Sequence, residues 1–321
     1  MGEATANKTI LIADDDLVSR RLLEKFLIKW NYDVTAVSDG TAALRILDRD
    51  DTPRLAILDW MMPGTEGVQI CRIIRERVDR PYIYVILLTG KTEKQDLLKA
   101  LQSGADDFLS KPFDAQELQA RLHVGRRILD LQDGLIAAKE ELRFRATHDS
   151  VTGIYNRAMV LDAMNREHAR QIRDGNPFGV ILADLDHFKS INDNHGHLCG
   201  DEVLKEAARR MRACIRPYDV VGRYGGEEFL IVVARADEAV TLRLAERMRK
   251  AIDSTPFVSD AGLITVTASF GVTASLEPGS DKKMLVQLAD EALYRAKRNG
   301  RNQCEISRSN DPVASGSISS D

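Results

Sequence analysis

Short apolar runs recur through the first third of the chain, and each ends abruptly in polar residues. The run Thr9–Ala13 precedes three aspartates, and the run Leu55–Leu58 precedes Asp59. Such runs are typical of strands buried on both faces of a parallel sheet. The helix after Asp16 is predicted to bury one side, made of Leu22, Leu23, Phe26 and Leu27. Further strands and helices are predicted at 32–37, 41–47, 84–88, 93–103 and 107–110. This five-fold alternation predicts a doubly wound α/β fold with a parallel five-stranded sheet.

Chemically active side chains stand where the predicted strands end, at Asp14, Asp15, Asp59, Thr89 and Lys111. Functional groups of doubly wound folds gather at the carboxyl ends of the strands. Neighbouring carboxylates can hold Mg²⁺, and one of them can attack a phosphoryl donor to give an aspartyl phosphate. A threonine hydroxyl and a lysine ammonium can both contact the phosphate. Each residue alone also fits a solvated turn, a helix cap or a surface lysine, but the matching positions favour a phosphoryl site.

Residues 8–125 resemble a response-regulator receiver domain, which has a flavodoxin-like fold. The motifs that carry the resemblance are Ile-Ala-Asp14-Asp15-Asp16, Leu-Asp59-Trp-Met-Met-Pro63-Gly64, Leu-Thr89-Gly and Ser-Lys111-Pro112-Phe. The resemblance implies that Asp59 is the phosphoacceptor and that a sensor histidine kinase is the partner. It also implies that Asp14, Asp15 and the Met61 carbonyl complete a Mg²⁺ site, with Thr89 and Lys111 beside the phosphate.

A heptad pattern follows the predicted α/β domain. Its apolar positions are Val124, Ile128, Leu131, Leu135, Ala138 and Leu142. Apolar residues spaced alternately by three and four predict a coiled-coil seam, here in a linker over residues 126–147. The seam spans only about three heptads, so a helix packed on its own domain is the alternative. Gly134 is expected to weaken the helix locally.

The remaining pattern predicts the order helix, strand, helix, hairpin, helix, strand, helix, which fits a ferredoxin-like α+β palm. The predicted elements cover 157–173, 179–183, 203–215, 219–233, 238–252, 264–271 and 285–298. Gly225 and Gly226 lie at the hairpin turn, where we expect them to adopt positive φ.

Acidic residues of this second region are expected to converge. Asp184 ends one predicted strand, and Glu227 and Glu228 follow the hairpin turn. If the strands are neighbours, these carboxylates suit Mg²⁺-assisted phosphoryl transfer, whereas the hairpin acids alone would be an ordinary acidic tip. The candidate phosphate ligands are Lys189, Lys297 and Arg301. Asn192 and Asp201 flank a Gly-His turn; a carboxylate there can accept from two guanine N–H groups, although helix capping is the alternative for both residues.

Residues 147–308 resemble a GGDEF domain, the diguanylate cyclase family. The motifs are Asp149-x-x-Thr-Gly-x-x-Asn-Arg157, Asp184-x-Asp-x-Phe-Lys189-x-Ile-Asn192-Asp, Gly196-His197-x-x-Gly-Asp201, Gly225-Gly226-Glu227-Glu228-Phe229 and Ala296-Lys297-x-x-Gly-Arg301-Asn302. The resemblance implies a homodimer that condenses two GTP into cyclic di-GMP and two pyrophosphates.

Individual roles follow from the same resemblance. The metal ligands would be Asp184, Glu227, Glu228 and the Leu185 carbonyl, and Glu227 is the favoured acceptor of the hydroxyl proton. Asn192, His197 and Asp201 would hold guanosine, and Lys189, Lys297 and Arg301 would hold the phosphates. The pattern Arg216-Pro-Tyr-Asp219 falls where this family has its product-inhibition site, with Arg247 as a weaker candidate beside it. Otherwise an RxxD pattern is usually a surface ion pair of little energetic value.

Composition narrows the function classes. The 321 residues are 44% hydrophobic and 29% charged, with net charge −4, and they carry no basic stripe, so nucleic acid is not an expected partner. The four cysteines have no metal-binding spacing. No segment is apolar enough for membrane insertion, so we expect a cytoplasmic protein.

The predicted organisation is a receiver over 1–125, a helical linker over 126–147, a GGDEF domain over 148–308 and a disordered tail over 309–321. The predicted activity is that of a diguanylate cyclase activated by phosphorylation of Asp59 through dimerisation. The alternatives are a catalytically silent cyclic di-GMP sensor and a DNA-binding regulator. The intact carboxylates disfavour the sensor, and the lack of a helix-turn-helix pattern disfavours the regulator.

Overall fold

A computed structural model describes residues 8–77, 80–90, 102–260, 262–275 and 282–307. The chain divides into two compact units, residues 1–139 and residues 140–321. The predicted tail over 309–321 and most of the predicted helix 93–103 lie outside the described residues. In the described part of the chain, no helix combines the length and the apolar character needed to cross a bilayer.

The first unit is built on a parallel five-stranded sheet with the order β2-β1-β3-β4-β5. Its elements are β1 (Thr9–Ala13), α1 (Leu17–Lys29), β2 (Asp33–Val37), α2 (Gly40–Leu47), β3 (Leu55–Asp59), α3 (Gly67–Arg75), β4 (Tyr84–Thr89) and β5 (Asp107–Ser110). All residues of β3 and β4 are buried, as expected for central strands covered on both faces. The doubly wound fold predicted from the apolar runs is therefore confirmed.

Helix α1 buries a narrower face than its sequence predicts. Asp16 caps it by accepting hydrogen bonds from the Val18 and Ser19 N–H groups. Leu23 and Leu27 are fully buried, whereas Leu22 is exposed. Phe26 is half-buried and stacks on Trp30, with ring centroids 5.7 Å apart. The prediction was wrong for Leu22, because Leu23 and Leu27, one turn apart on the same face, make the buried contact with the sheet.

A single helix of 33 residues, α4 (Ala115–Thr147), begins in the first unit and ends in the second. Its early turns bury Leu118, Leu122 and Leu129. The predicted seam residues are exposed, with Leu131 65% and Leu135 70% accessible. The predicted helical connector is confirmed, and the seam is not covered by this chain.

The second unit contains a five-stranded sheet with the order β12-β11-β6-β8-β7. Its elements are α5 (Arg157–Asp174), β6 (Phe178–Leu185), α6 (Phe188–His195), α7 (His197–Cys214), β7 (Val220–Gly225), β8 (Glu228–Val233), α8 (Glu238–Asp253), β9 (Phe257–Ser259), β10 (Gly262–Ile264), β11 (Ala268–Ser275), α9 (Lys282–Arg298) and β12 (Cys304–Ile306). Without the edge strand β12, the strand order 4-1-3-2 is that of a ferredoxin-like palm.

Two predicted boundaries were wrong in this unit. The strand predicted at 264–271 is two strands, because β10 forms a small hairpin with β9 and only β11 belongs to the main sheet. The helix predicted to begin at Val203 begins at His197, so Gly200 and Asp201 lie inside it.

Helix α9 packs so closely on β11 that Gly271 has no room for a side chain. A Cβ there would lie 1.9 Å from the Ala289 carbonyl oxygen and 2.4 Å from the Leu293 nitrogen. We expect Gly271→Ala to destabilise the second unit by about 3 kcal/mol, because helix backbone has to move. Thermal unfolding of the full chain measures this.

Gly134→Ala is the matched control for that substitution. A Cβ at Gly134 meets nothing within 4 Å, so the change should stabilise the exposed helix by about 1 kcal/mol. Equal unfolding temperatures for Gly271→Ala and the wild type would contradict the close packing.

Candidate functional site

Three aspartates meet at the carboxyl edge of the first sheet. One carboxylate oxygen from each of Asp14, Asp15 and Asp59 lies within 4.8 Å of the other two. Asp14 is fully buried and Asp59 is 8% exposed. Lys111 lies between them, with its Nζ 2.9 Å from Asp14 and 2.7 Å from Asp59. Thr89, at the end of β4, is also buried at this edge. The structure thus brings together the groups predicted from separate strand ends, and the all-oxygen donor set suits Mg²⁺.

Burial and hydrogen bonding shift the pKa values of Asp59 and Lys111. Burial raises the pKa of Asp59 and outweighs the opposing effect of its hydrogen bond with Lys111. Burial would lower the pKa of Lys111, but its hydrogen bonds to Asp14 and Asp59 raise it overall. The ammonium is therefore held charged between two carboxylates, where it could equally neutralise a bound phosphoryl group.

The second acidic cluster lies at one end of the second sheet. Asp184 on β6 pairs in register with Glu228 on the neighbouring strand β8. The Leu185 N–H donates to the Glu227 carbonyl oxygen over 3.4 Å. The predicted adjacency of these strands is confirmed. Among the residues that the structure describes, however, only the first-unit aspartates form a group of three in which one oxygen from each lies within 4.8 Å of the others. Asp184 is instead bound to Lys297, whose Nζ lies 2.8 Å from Oδ2.

Asp184 has an unusual proton affinity. Burial raises its pKa to about 6; Lys297 opposes this rise, and the charges of Glu227 and Glu228 add to it. A carboxylate that is costly to ionise in a buried acidic cluster is a candidate for binding a cation. The donor set around Asp184 consists of oxygen atoms, which fits a hard divalent metal.

The glycines of the hairpin do not act as predicted. Neither Gly225 nor Gly226 has φ between +20° and +160°, so positive φ is not the reason for them. A Cβ at Gly226 would meet nothing within 4 Å, and one at Gly225 would lie 3.1 Å from Glu228 Oε2. The missing side chains leave the surface beside Glu228 open to a ligand.

The predicted guanine ligands lie on α6 and α7, the two helices that join at Gly196. Asn192 lies near the end of α6, and Asp201 lies in the second turn of α7. A Cβ at Gly200 would lie 1.9 Å from Asn192 Oδ1, so a glycine here leaves room for the Asn192 side-chain amide. Neither Asn192 nor Asp201 occupies a cap position, and the capping alternative is therefore wrong. His197, the first residue of α7, is exposed.

The three predicted phosphate ligands lie on different elements. Lys297 is in the last turn of α9, where it contacts Asp184, and Arg301 is in the loop that follows. Lys189 is on α6, five residues after Asp184. Lys189 and Arg301 are exposed, which makes both accessible to an anion.

Known families and relatives match both units. The family described as "Diguanylate cyclase, GGDEF domain" matches residues 146–303, and "Response regulator receiver domain" matches residues 10–123. Response regulator PleD of Caulobacter vibrioides is 34% identical over 250 residues, which are 77% of this chain and 55% of PleD. This chain therefore spans about half of PleD's length.

Solved structures give the same result. Diguanylate cyclase SiaD of Pseudomonas aeruginosa, in complex with its activator SiaC, is 34% identical with a TM-score of 0.50, covering 60% of this chain and 74% of SiaD. The chain belongs to the diguanylate cyclase (GGDEF) family, with a receiver domain before it. The coiled coil and GGDEF domain of DgcB from Caulobacter crescentus, in complex with c-di-GMP, is 29% identical with a TM-score of 0.53; it covers 59% of this chain and 99% of that one.

The RxxD segment of the GGDEF domain is not an ion pair. Asp219 is buried, and its carboxylate accepts hydrogen bonds from the Arg216 N–H at 3.0 Å and the Ala234 N–H at 3.1 Å. The Arg216 side chain is exposed and lies 3.1 Å from the Tyr218 hydroxyl. The ion-pair alternative is therefore wrong: Asp219 shapes the turn, and Arg216 projects from it. Arg247, also exposed, donates to the Cys214 carbonyl nearby.

A cavity of about 300 Å³ adjoins this turn. Its lining includes Arg212, Arg216, His148 and Tyr155. His148 stacks on Phe144 with centroids 4.2 Å apart and lies 4.9 Å from the Tyr155 ring. Guanidinium groups beside aromatic rings suit a ligand that carries both phosphate and a planar base.

Sequence reasoning missed the role of Arg223. Its Nη1 lies 3.2 Å from both carboxylate oxygens of Asp149, and its Nε donates to the Gly226 carbonyl over 2.8 Å. Burial alone would raise the pKa of Asp149, but hydrogen bonds from Thr152 and the charge of Arg223 lower it overall. Arg223 thus ties the turn that opens the GGDEF domain to the tip of the β7–β8 hairpin.

Proposed function

We propose that this protein is a phosphorylation-regulated diguanylate cyclase, which condenses two GTP into cyclic di-GMP and two pyrophosphates. The observation that carries the proposal is the pairing of Asp184 with Glu228 on adjacent strands, beside Lys297 and within the charge field of Glu227. A catalytically silent binding module would not require the buried Asp184 carboxylate, with its raised pKa, beside Glu227 and Glu228.

Each protomer would bind one GTP. Asn192, His197 and Asp201 hold the guanosine at the α6–α7 junction, and the Asp201 carboxylate accepts from the guanine N–H donors. Lys189, Lys297 and Arg301 contact the phosphates. Asp184, Glu227, Glu228 and the Leu185 carbonyl would hold Mg²⁺, which when bound supplies charge stabilisation at the phosphates.

The reaction joins the two protomers. The 3′-hydroxyl of one GTP attacks the α-phosphate of the other, forming a new phosphodiester bond and breaking the bond to the pyrophosphate. Glu227 accepts the hydroxyl proton, and the Lys297 ammonium, which would leave Asp184 when a cation binds there, stabilises the leaving pyrophosphate. Because each site supplies half of the product, activity requires a homodimer.

Control would come from the receiver domain. A sensor histidine kinase supplies the phosphoryl group, and Asp59 accepts it. Asp14, Asp15 and the Met61 carbonyl would hold Mg²⁺ there, and Lys111 and Thr89 contact the new phosphate. The close approach of Lys111 to Asp59, 2.7 Å, supports this role. Phosphorylation favours dimerisation, and the exposed α4 seam brings the two GTP sites together.

The test is incubation of the purified protein with GTP and Mg²⁺, with and without beryllofluoride as a phosphoryl mimic. We expect cyclic di-GMP in both reactions, formed faster with the mimic. Equal rates would leave the cyclase but remove control by Asp59. No product in either reaction, from a folded dimer, would overturn the cyclase and favour the sensor alternative.

Product inhibition is assigned to Arg216, with Asp219 shaping its turn and Arg247 beside it. We expect Arg216→Ala to weaken inhibition by cyclic di-GMP about tenfold or more, because a charge-assisted contact to phosphate is lost. Initial rates at increasing product concentration measure the effect. Arg243→Ala, an exposed arginine on α8, is the control and should leave inhibition unchanged. Unaltered inhibition in Arg216→Ala would show that the site lies elsewhere.

A further inference from the structure

Asp186 is a buried acid close to the site to which no role has yet been given. It is 4% exposed and follows Asp184 by two residues. Its Oδ1 accepts from the Ser269 hydroxyl at 2.7 Å, and its Oδ2 accepts from the Thr267 hydroxyl at 2.7 Å and the Asn302 N–H at 3.0 Å. Two of these donors lie beside or on β11, and the third lies in the loop after α9.

The loop after α9 contains two residues with positive φ. Arg301 has φ +63° and Asn302 has φ +46°, a left-handed conformation that is disfavoured for residues other than glycine. The Asn302 side chain adds contacts to Arg249 at 3.0 Å and to Asp253 at 3.2 Å. Backbone hydrogen bonds hold the residues on either side: the Arg301 N–H donates to the Ala296 carbonyl over 3.0 Å, and the Gln303 carbonyl accepts from the Phe270 N–H over 2.9 Å. Between them, the hydrogen bond from the Asn302 N–H to Asp186 is the one that joins the loop to the end of β6.

The two acids at the end of β6 hold the same region at two points. Asp184 binds Lys297 at the end of α9, and Asp186 binds the backbone of Asn302, next to Arg301. We propose that Asp186 is a positioning residue for GTP, which fixes the loop that presents Arg301 to the phosphates. The proposal rests on the proposed function, because it takes Arg301 as a phosphate ligand.

Arg301 is exposed, so its guanidinium depends on its backbone for direction. A loop free to leave the left-handed conformation would spread Arg301 over many positions and weaken each contact with phosphate. The guanine ligands lie on α6 and α7, which the Asp186 hydrogen bonds do not contact. Loss of Asp186 should therefore weaken binding of the triphosphate and spare binding of the base.

The test compares binding of a non-reactive GTP analogue with binding of GMP to the full-length chain, by calorimetry. We expect Asp186→Ala to weaken GTP-analogue binding about tenfold and to change GMP binding less than twofold. Asp186→Ser should behave alike, because its shorter side chain does not reach the positions of the carboxylate oxygens that bind Asn302 and Ser269; it keeps a polar group in the buried site and serves if the alanine variant fails to fold. Asp186→Asn should bind within about threefold of the wild type, because its amide oxygen can accept from Asn302 while the amide nitrogen donates to Ser269.

The double variant Asp186→Ala/Arg301→Ala separates positioning from general packing. If Asp186 acts through Arg301, the double variant binds the GTP analogue no more weakly than Arg301→Ala alone. Additive losses, equal losses for GMP and the analogue, or wild-type binding by Asp186→Ala would each overturn this inference alone. A folded wild-type protein that binds neither nucleotide would overturn the proposed function as well.

Discussion

Asp184→Asn is expected to lower cyclic di-GMP formation at least about 1000-fold and, at neutral pH, to stabilise the GGDEF domain. The loss of activity follows because the amide carries no charge and is a poor ligand for Mg²⁺ opposite Glu228. The gain in stability follows because burial opposes the charged form of Asp184, whose pKa is raised to about 6.

The pH dependence of this stability has a defined sign. The folded pKa lies above the ordinary value of 3.8, so the folded state binds the proton more tightly than the unfolded state. The contribution of Asp184 to wild-type stability therefore falls as pH rises from about 4 to about 6, by on the order of 3 kcal/mol, and then levels off. The asparagine variant lacks this loss, so its advantage should grow through the same window.

Metal-free thermal unfolding between pH 4 and pH 8, together with product assays at pH 7.5, measures both effects. Asp260→Asn, an exposed aspartate of the same domain, should change neither. An Asp184→Asn variant that keeps substantial activity would remove this residue from the catalytic set. A stability difference independent of pH would mean that Asp184 is not protonated more readily in the folded state.

Replacing Leu131 and Leu135 with lysine is expected to abolish the dimer and lower the rate about 100-fold at submicromolar protein. Both side chains lie on the exposed seam of α4, and a charged residue at such a position opposes helix pairing. Binding of GTP to each protomer should be unchanged, because the guanine and phosphate ligands lie in the GGDEF domain. Light scattering after gel filtration and rates across a concentration series measure the two effects.

Ile136→Lys is the matched control. Ile136 is 50% exposed on the same helix but lies outside the heptad positions. It should remain dimeric and active with beryllofluoride. If both variants lost the dimer equally, the seam would not be the contact; if neither did, dimerisation would belong to other surfaces.

Local patterns predicted most of the fold. The continuous apolar runs of the first unit predicted the buried strands β1, β3 and β4, since both faces of these strands are covered. The heptad spacing predicted a helix through the linker. Sequence pattern was weaker where tertiary contacts decide: the small hairpin of β9 and β10 looks like part of a longer strand, and α7 begins six residues before its apolar periodicity becomes regular.

The sequence predicted which residues form the candidate site, but not which partners their side chains contact. The acids at strand ends could be named because parallel or neighbouring strands bring their ends together. Lys297 binds Asp184, and in the described part of the chain the Asp219 carboxylate accepts from two backbone N–H groups. Both contacts depend on side-chain directions, which residue spacing does not encode. Asp186 was visible in its motif, but its partners Ser269 and Asn302 lie far along the chain.

The bond between Arg223 and Asp149 has a consequence for how such sequences can diverge. The Arg223 guanidinium contacts both Asp149, in the turn at 149–152, and the Gly226 carbonyl. Asp149 and Arg223 are both half-buried, so replacing either one leaves the charge of the other unpaired. A drifting lineage would therefore be expected to change the two positions together or not at all. We therefore expect related sequences to show correlated replacements at positions 149 and 223, with Gly225 and Gly226 retained.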